Sequence, residues 1–212
     1  MKRILCFGDS NTYGYKPDGS GRFNENIRWT GIIQKKLGEN FQVIEEGLCG
    51  RTTIFEDELR DGRKGLELVG TLVETHNPID VFVVMLGTND CKTRYGATAG
   101  IIAKGLGQVI SKAQLKSSKE MKILVISPIL LGQGVGEEGY DVEFDSHSEL
   151  VAGKLSEEYE KVAKEKNFYF LAASKYANPS PIDREHLDES GHKKLAEAIY
   201  NKLIEIFKED VE

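Results

Sequence analysis

The segment 79–86, IDVFVVML, constrains the fold of this chain more than any other stretch. Its β-branched and aromatic residues follow one another and end at Gly87, so it reads as a strand with no polar face. Such a strand has to be covered on both sides, which is the habit of parallel sheets held between helices. Four further short runs read the same way: 2–7 ending at Gly8, 41–44, 122–127 (KILVIS, stopped by Pro128) and 168–171. Between them lie helical patterns at 29–37, which stops at Gly38, and at 66–75, 97–115, 147–166 and 189–207. Glycines 100, 105 and 107 count against a regular helix over 97–115. Residues 45–53 read as a loop, and 132–146, which begins GQGVGEEG, as a long flexible connection. Strands alternating with helices give an α/β fold: a central parallel sheet of about five strands with helices on both faces. With 212 residues and no repeat, low-complexity segment or linker, the chain reads as a single domain, 1–212.

In such folds ligands bind beyond the carboxyl ends of the strands. Ser10, in Gly8-Asp9-Ser10-Asn11, follows the first strand, and Gly50 lies after the second. Asn89, in Gly87-Thr88-Asn89-Asp90, follows the third, and Asp183 and His186 follow the fifth. A serine nucleophile needs a base, and His186 is the best placed of the four histidines. Asp183, three positions earlier, can accept the Nδ1 proton and fix the tautomer. The N–H of Ser10, the N–H of Gly50 and the Asn89 carboxamide then offer three donors for an oxyanion. Taken singly, each element has a plain alternative: Ser10 as a helix N-cap, Asp183 as a loop carboxylate, the glycine segments as ordinary turns.

Charge and composition narrow the function. A net charge of −6 supplies no basic footprint for nucleic acid or an anionic membrane surface. No apolar stretch approaches the roughly 20 residues needed to cross a bilayer. Glycine and charge interrupt the N-terminus before a signal-peptide core could form. Three cysteines (Cys6, Cys49 and Cys91) cannot all pair within the chain and lack CxxC spacing. The expectation is a cytoplasmic protein with no metal site and no cofactor. A phosphate-binding module is a poor alternative, because no P-loop or Gly-x-Gly-x-x-Gly follows the first strand.

Gly8-Asp9-Ser10, the Gly50 loop, Gly87-Thr88-Asn89-Asp90 and Asp183-Arg184-Glu185-His186 resemble, in order, the four blocks of the SGNH (GDSL-type) hydrolase family over residues 4–192. The resemblance implies a three-layer, flavodoxin-like α/β/α sandwich and an esterase. Ser10 would be nucleophile and first oxyanion donor, Gly50 and Asn89 the other donors, and His186 the base oriented by Asp183. RILCFGDSNTYGY, RWTGIIQKKL, VIEEGLCGRTT and VVMLGTNDCK are similar to the bacterial arylesterase and acyltransferase branch. That branch implies small short-acyl esters, acyl transfer to alcohols and homo-oligomers. Carbohydrate O-deacetylation by the same residues is the alternative. Asn11 stands where the family usually has leucine, and would either cap the following turn or reach a substrate oxygen.

Tyr13, Tyr15 and Trp29 are candidates to line an acyl or alcohol pocket, with core packing an equal reading for Trp29. Arg51 would form a structural salt bridge or bind a carboxylate. His192 would begin a helix, partly exposed, and His76 would meet carbonyls at a helix end. His147 would approach the site only if 132–146 folds over it.

Overall fold

A computed structural model describes residues 1–208; the acidic stretch 209–212, expected to be a solvated tail, lies outside the described residues. Five strands, β1 (Lys2–Gly8), β2 (Phe41–Gly47), β3 (Val81–Met85), β4 (Lys122–Ser127) and β5 (Tyr169–Ala172), pair in parallel. Their order, β2-β1-β3-β4-β5, is the flavodoxin-like doubly wound arrangement, with its switch point between β1 and β3. The helices are α1 (Ser10–Tyr13), α2 (Trp29–Leu37), α3 (Gly65–His76), α4 (Ala99–Lys116), α5 (Ser146–Lys166) and α6 (Glu189–Lys208).

The pleat sends successive strand residues to opposite layers. Leu5, Phe7, Phe82, Val84, Ile123 and Val125 pack with α3, α4 and α5 through Val69, Leu106 and Tyr159. Ile4, Cys6, Val81, Val83, Leu124 and Ile126 pack with α2 and α6 through Trp29, Ile33 and Ile199. The result is the expected three-layer α/β/α sandwich. Each fully buried side chain of this kind contributes about 1.5–3 kcal/mol. Cys6 and Cys91 belong to different layers and Cys49 is half-buried, so the three thiols do not converge.

Several elements differ from the sequence reading. β2 continues to Gly47 because its two glutamates find partners on opposite sides of the strand. Glu45 takes Arg22, Arg28 and Thr30, whereas Glu46 takes the ring of His76 at 2.8 Å. His76 therefore meets a carboxylate and not carbonyls; Arg3 bonds the carbonyls of His76 and Asn77 instead. α4 is regular despite its glycines. A Cβ at Gly105 would stand 2.6 Å from Thr53 Oγ1, so glycine there lets α4 approach the loop after β2.

The connection 132–146 contains no helix or strand before Ser146, yet it is tied down. Gly132 N–H donates to the Arg184 carbonyl at 2.7 Å, and Arg184 Nη1 donates to the Gly134 carbonyl at 2.8 Å. The Arg184 guanidinium also lies 3.8 Å from the centroid of the Tyr140 ring. Arg184 itself adopts a left-handed backbone, φ 63°. Among the described residues, no helix is long and apolar enough to cross a membrane.

Candidate active site

Ser10 follows β1 at the start of α1, but it is not the cap. The Asp9 carboxylate accepts the Asn11 N–H at 3.0 Å, which leaves the Ser10 hydroxyl free for another partner. That partner is His186: Ser10 Oγ lies 2.8 Å from Nε2. On the other side of the ring, Nδ1 lies 2.7 Å from Asp183 Oδ2. Asp183 Oδ1 meanwhile accepts the backbone N–H groups of Glu185 and His186, both at 3.0 Å. One carboxylate thus orients the imidazole and fixes the turn that carries it. A carboxylate only accepts, so Nδ1 carries the ring proton and Nε2 accepts from the serine. The Tyr15 ring, 4.8 Å from the imidazole centroid, packs against the same ring.

The electrostatics fit that assignment. Burial pulls the His186 pKa down, but the Glu185 charge and the Asp183 hydrogen bond outweigh it, and the net shift is upward. Burial pushes Asp183 up, and its hydrogen bond and charge interaction with His186 bring it below the ordinary value.

Gly50 has φ 83°, a left-handed conformation that glycine adopts without steric cost. Asn89 Nδ2 donates to the Arg51 carbonyl at 3.2 Å, which orients the amide and uses one of its two hydrogens. The next residue, Asp90, anchors this corner: it accepts from Thr53 N at 2.9 Å and from Thr53 Oγ1 at 2.5 Å. Burial pushes Asp90 up to about 7. Ser10, Gly50, Asn89 and His186 line one cavity of about 250 Å³. Among the described residues, the backbone N–H groups of Ser10 and Gly50 have no backbone acceptor outside the regular elements. The arrangement can hold a carbonyl carbon near Ser10 with its oxygen facing donors. Asn89→Ala should lower kcat on p-nitrophenyl acetate by on the order of 10²–10³-fold. A change confined to KM would reduce Asn89 to a binding group.

Asn11 does neither of the things the sequence suggested. Its side chain is buried and brackets the histidine: Oδ1 accepts the Leu187 N–H at 2.9 Å, and Nδ2 donates to the Glu185 carbonyl at 3.4 Å. The residue beside Ser10 therefore grips the backbone on both sides of His186. Asn11→Leu strands those two backbone groups, a loss of about 2–4 kcal/mol, and should lower Tm by roughly 4–16 °C in a thermal melt. An unchanged Tm would mean that the bracket contributes nothing.

The other candidates separate. Tyr15 lines the cavity. Trp29 does not: it is 1% exposed, part of the α2–α6 layer, and its Nε1 donates to the Asn11 carbonyl at 3.1 Å. Tyr13 packs its ring under the Arg22 guanidinium, 4.4 Å away, and does not line the cavity. Among the described residues Arg51 has no salt-bridge partner; it donates to the Gly8 and Glu46 carbonyls and lies over the Phe7 ring, and burial lowers its pKa to about 10. His192 is 0% exposed rather than partly exposed, faces the Phe23 ring edge, and is pulled down to about 4 by burial. His147 is exposed at the start of α5 and does not line the cavity, although Asp141 and Glu143 of the same connection do.

Sequence reasoning missed this charged wall. Lys92, 3% exposed, pairs with Glu143 at 2.5 Å, and Arg94 pairs with Asp57 at 2.6 Å and with Glu143. Glu185 brings Oε1 to 3.7 Å from His186 Nε2. Its place directly before His186 was a signal available in the sequence. Among the described residues, no group of three or more His, Cys, Asp or Glu side chains is arranged to hold a metal ion.

The family model for the GDSL-like lipase/acylhydrolase family matches residues 6–194. No curated protein matches the chain. Among solved structures, a crystal structure 39% identical covers 97% of this chain and 98% of its own, with a TM-score of 0.93. The inhibitor-bound aryl esterase of M. smegmatis is 30% identical over 97% of this chain and 99% of its own, TM-score 0.91. A carbohydrate acetylesterase family member from Sinorhizobium meliloti is 32% identical over 96% and 97%, TM-score 0.89.

Proposed function

The chain belongs to the GDSL-like lipase/acylhydrolase family and is a carboxylic ester hydrolase; we propose that it cleaves small, short-acyl esters through an acyl-enzyme on Ser10. The observation that carries this reading is the continuous hydrogen-bonded series Ser10–His186–Asp183 beside Gly50 and Asn89. His186 Nε2 takes the hydroxyl proton as Ser10 Oγ attacks the ester carbonyl. The Ser10 and Gly50 N–H groups and the Asn89 amide receive the oxyanion. The imidazolium returns its proton to the departing alcohol, and water, activated in turn by His186, releases the acid. Transfer to an alcohol would use the same intermediate.

A cavity of about 250 Å³ supports a short acyl group. On p-nitrophenyl esters, kcat/KM for acetate should exceed that for octanoate by roughly ten- to a hundredfold. A preference for octanoate would overturn the short-acyl reading. The second reading, O-deacetylation of carbohydrates, is favoured by the charged wall of Lys92, Asp141 and Glu143 and by the Sinorhizobium meliloti likeness. Acetylated sugars belong in the same assay. The cytoplasmic location expected from the unpaired cysteines and the homo-oligomer implied by the arylesterase-branch resemblance belong to the same proposal, and sedimentation of the purified protein tests the oligomer.

A further inference from the structure

We propose that the Glu185 carboxylate is the second anchor of the water that resolves the acyl-enzyme, and that it sets the preference for water over monohydric alcohols. The inference rests on the acyl-enzyme reading above. Glu185 is 7% exposed and lines the cavity. Its backbone is fully engaged, the N–H with Asp183 Oδ1 at 3.0 Å and the carbonyl with Asn11 Nδ2 at 3.4 Å. Its carboxylate, by contrast, receives no hydrogen bond among the described residues; Oε1 faces His186 Nε2 at 3.7 Å. The buried cation nearby, Lys92, is paired with Glu143. The carboxylate opens on the cavity, so its donor is whatever the cavity holds, and in deacylation that is the attacking water.

In the free enzyme Nε2 accepts from the Ser10 hydroxyl. Once Oγ is esterified that hydrogen is gone, and Nε2 and Glu185 Oε1 become two acceptors side by side. An oxygen about 2.8 Å from each sees them at about 83°, so the two O–H bonds of one water can each point within about 11° of an acceptor. Water then loses one proton to Nε2 as its oxygen bonds to the acyl carbon. Its second hydrogen stays on the oxygen, bonded to Glu185. Collapse breaks the bond from carbon to Oγ, and the imidazolium proton goes to Oγ. A monohydric alcohol has a single hydrogen, which goes to Nε2, and its alkyl group faces the carboxylate where water would have donated. A 1,2-diol restores the missing donor through its second hydroxyl.

The test is product partition from the acetyl-enzyme formed with p-nitrophenyl acetate, in competing ethanol or ethylene glycol. Because each ratio is read within one enzyme population, it does not depend on how much of a variant is active. The wild type should favour water, and glycol over ethanol. Glu185→Leu should raise the ratio of ethyl acetate to acetate about tenfold, the scale of one charge-assisted hydrogen bond, and abolish the glycol preference. Glu185→Gln, which keeps a neutral acceptor, should fall between. Equal partition in all three, with Ser10 acetylated normally by mass spectrometry, would overturn the proposal alone. Absence of acetylated Ser10 in the wild type would overturn the acyl-enzyme reading with it.

Discussion

Ser10→Ala should lower kcat for p-nitrophenyl acetate by on the order of 10⁶-fold while the protein stays folded. Among the described residues the hydroxyl makes one hydrogen bond, to His186 Nε2, and the cap of α1 belongs to Asp9, so alanine removes the proposed nucleophile without unpinning the helix. Removing a buried hydroxyl together with that one bond changes stability by no more than about 1.5 kcal/mol. The backbone N–H of residue 10, Gly50 and Asn89 persist, so a residual rate above the uncatalysed one should remain. Circular dichroism reports the fold, and labelling by a fluorophosphonate reports the nucleophile. Wild-type-like turnover by the variant would end the assignment of Ser10.

Asp183→Asn should cost on the order of 10⁴ in kcat, for a different reason. The amide can still accept the Glu185 and His186 N–H groups through its oxygen, so the turn is kept. Its NH₂ then faces Nδ1, which must accept instead of donate. The ring proton moves to Nε2, and a protonated Nε2 cannot take the proton of Ser10. The pH profile carries the same information. In the wild type the net upward shift of His186 makes kcat/KM fall as pH drops through a value above the ordinary 6.5, because the imidazolium is no base. Loss of the Asp183 charge should move that inflection to lower pH. An inflection that stays in place would detach Asp183 from His186.

The parts of this structure that were legible in sequence are those in which one interaction type decides. The apolar run of β3 permits only a doubly covered sheet, and the alternation of elements around it leaves few topologies. Ser10, His186 and Asp183 stood out because the strand reading put a serine, a histidine and an acid on one rim of the sheet, although each alone had a plain alternative. Asn11 was visible as a departure but not as a bracket, since its partners at 185 and 187 are reached only after the sheet is built. Trp29 and His192 hide each other across the α2–α6 layer, where Trp29 N–H meets His192 Nδ1 at 3.4 Å, and no local pattern encodes that mutual cover. Lys92, Arg94, Asp57 and Glu143 come from three separate connections. Each reads alone as a solvated surface charge, and only their convergence makes a wall.

The bond between Ser10 and His186 spans 176 positions, from the end of β1 to the turn after β5. During synthesis the serine therefore emerges from the ribosome 176 residues before the histidine it pairs with. Every nascent or truncated product ending before residue 186 carries the hydroxyl but no group to activate it. On the proposed mechanism, reactivity toward esters is thus withheld from incomplete chains by connectivity alone.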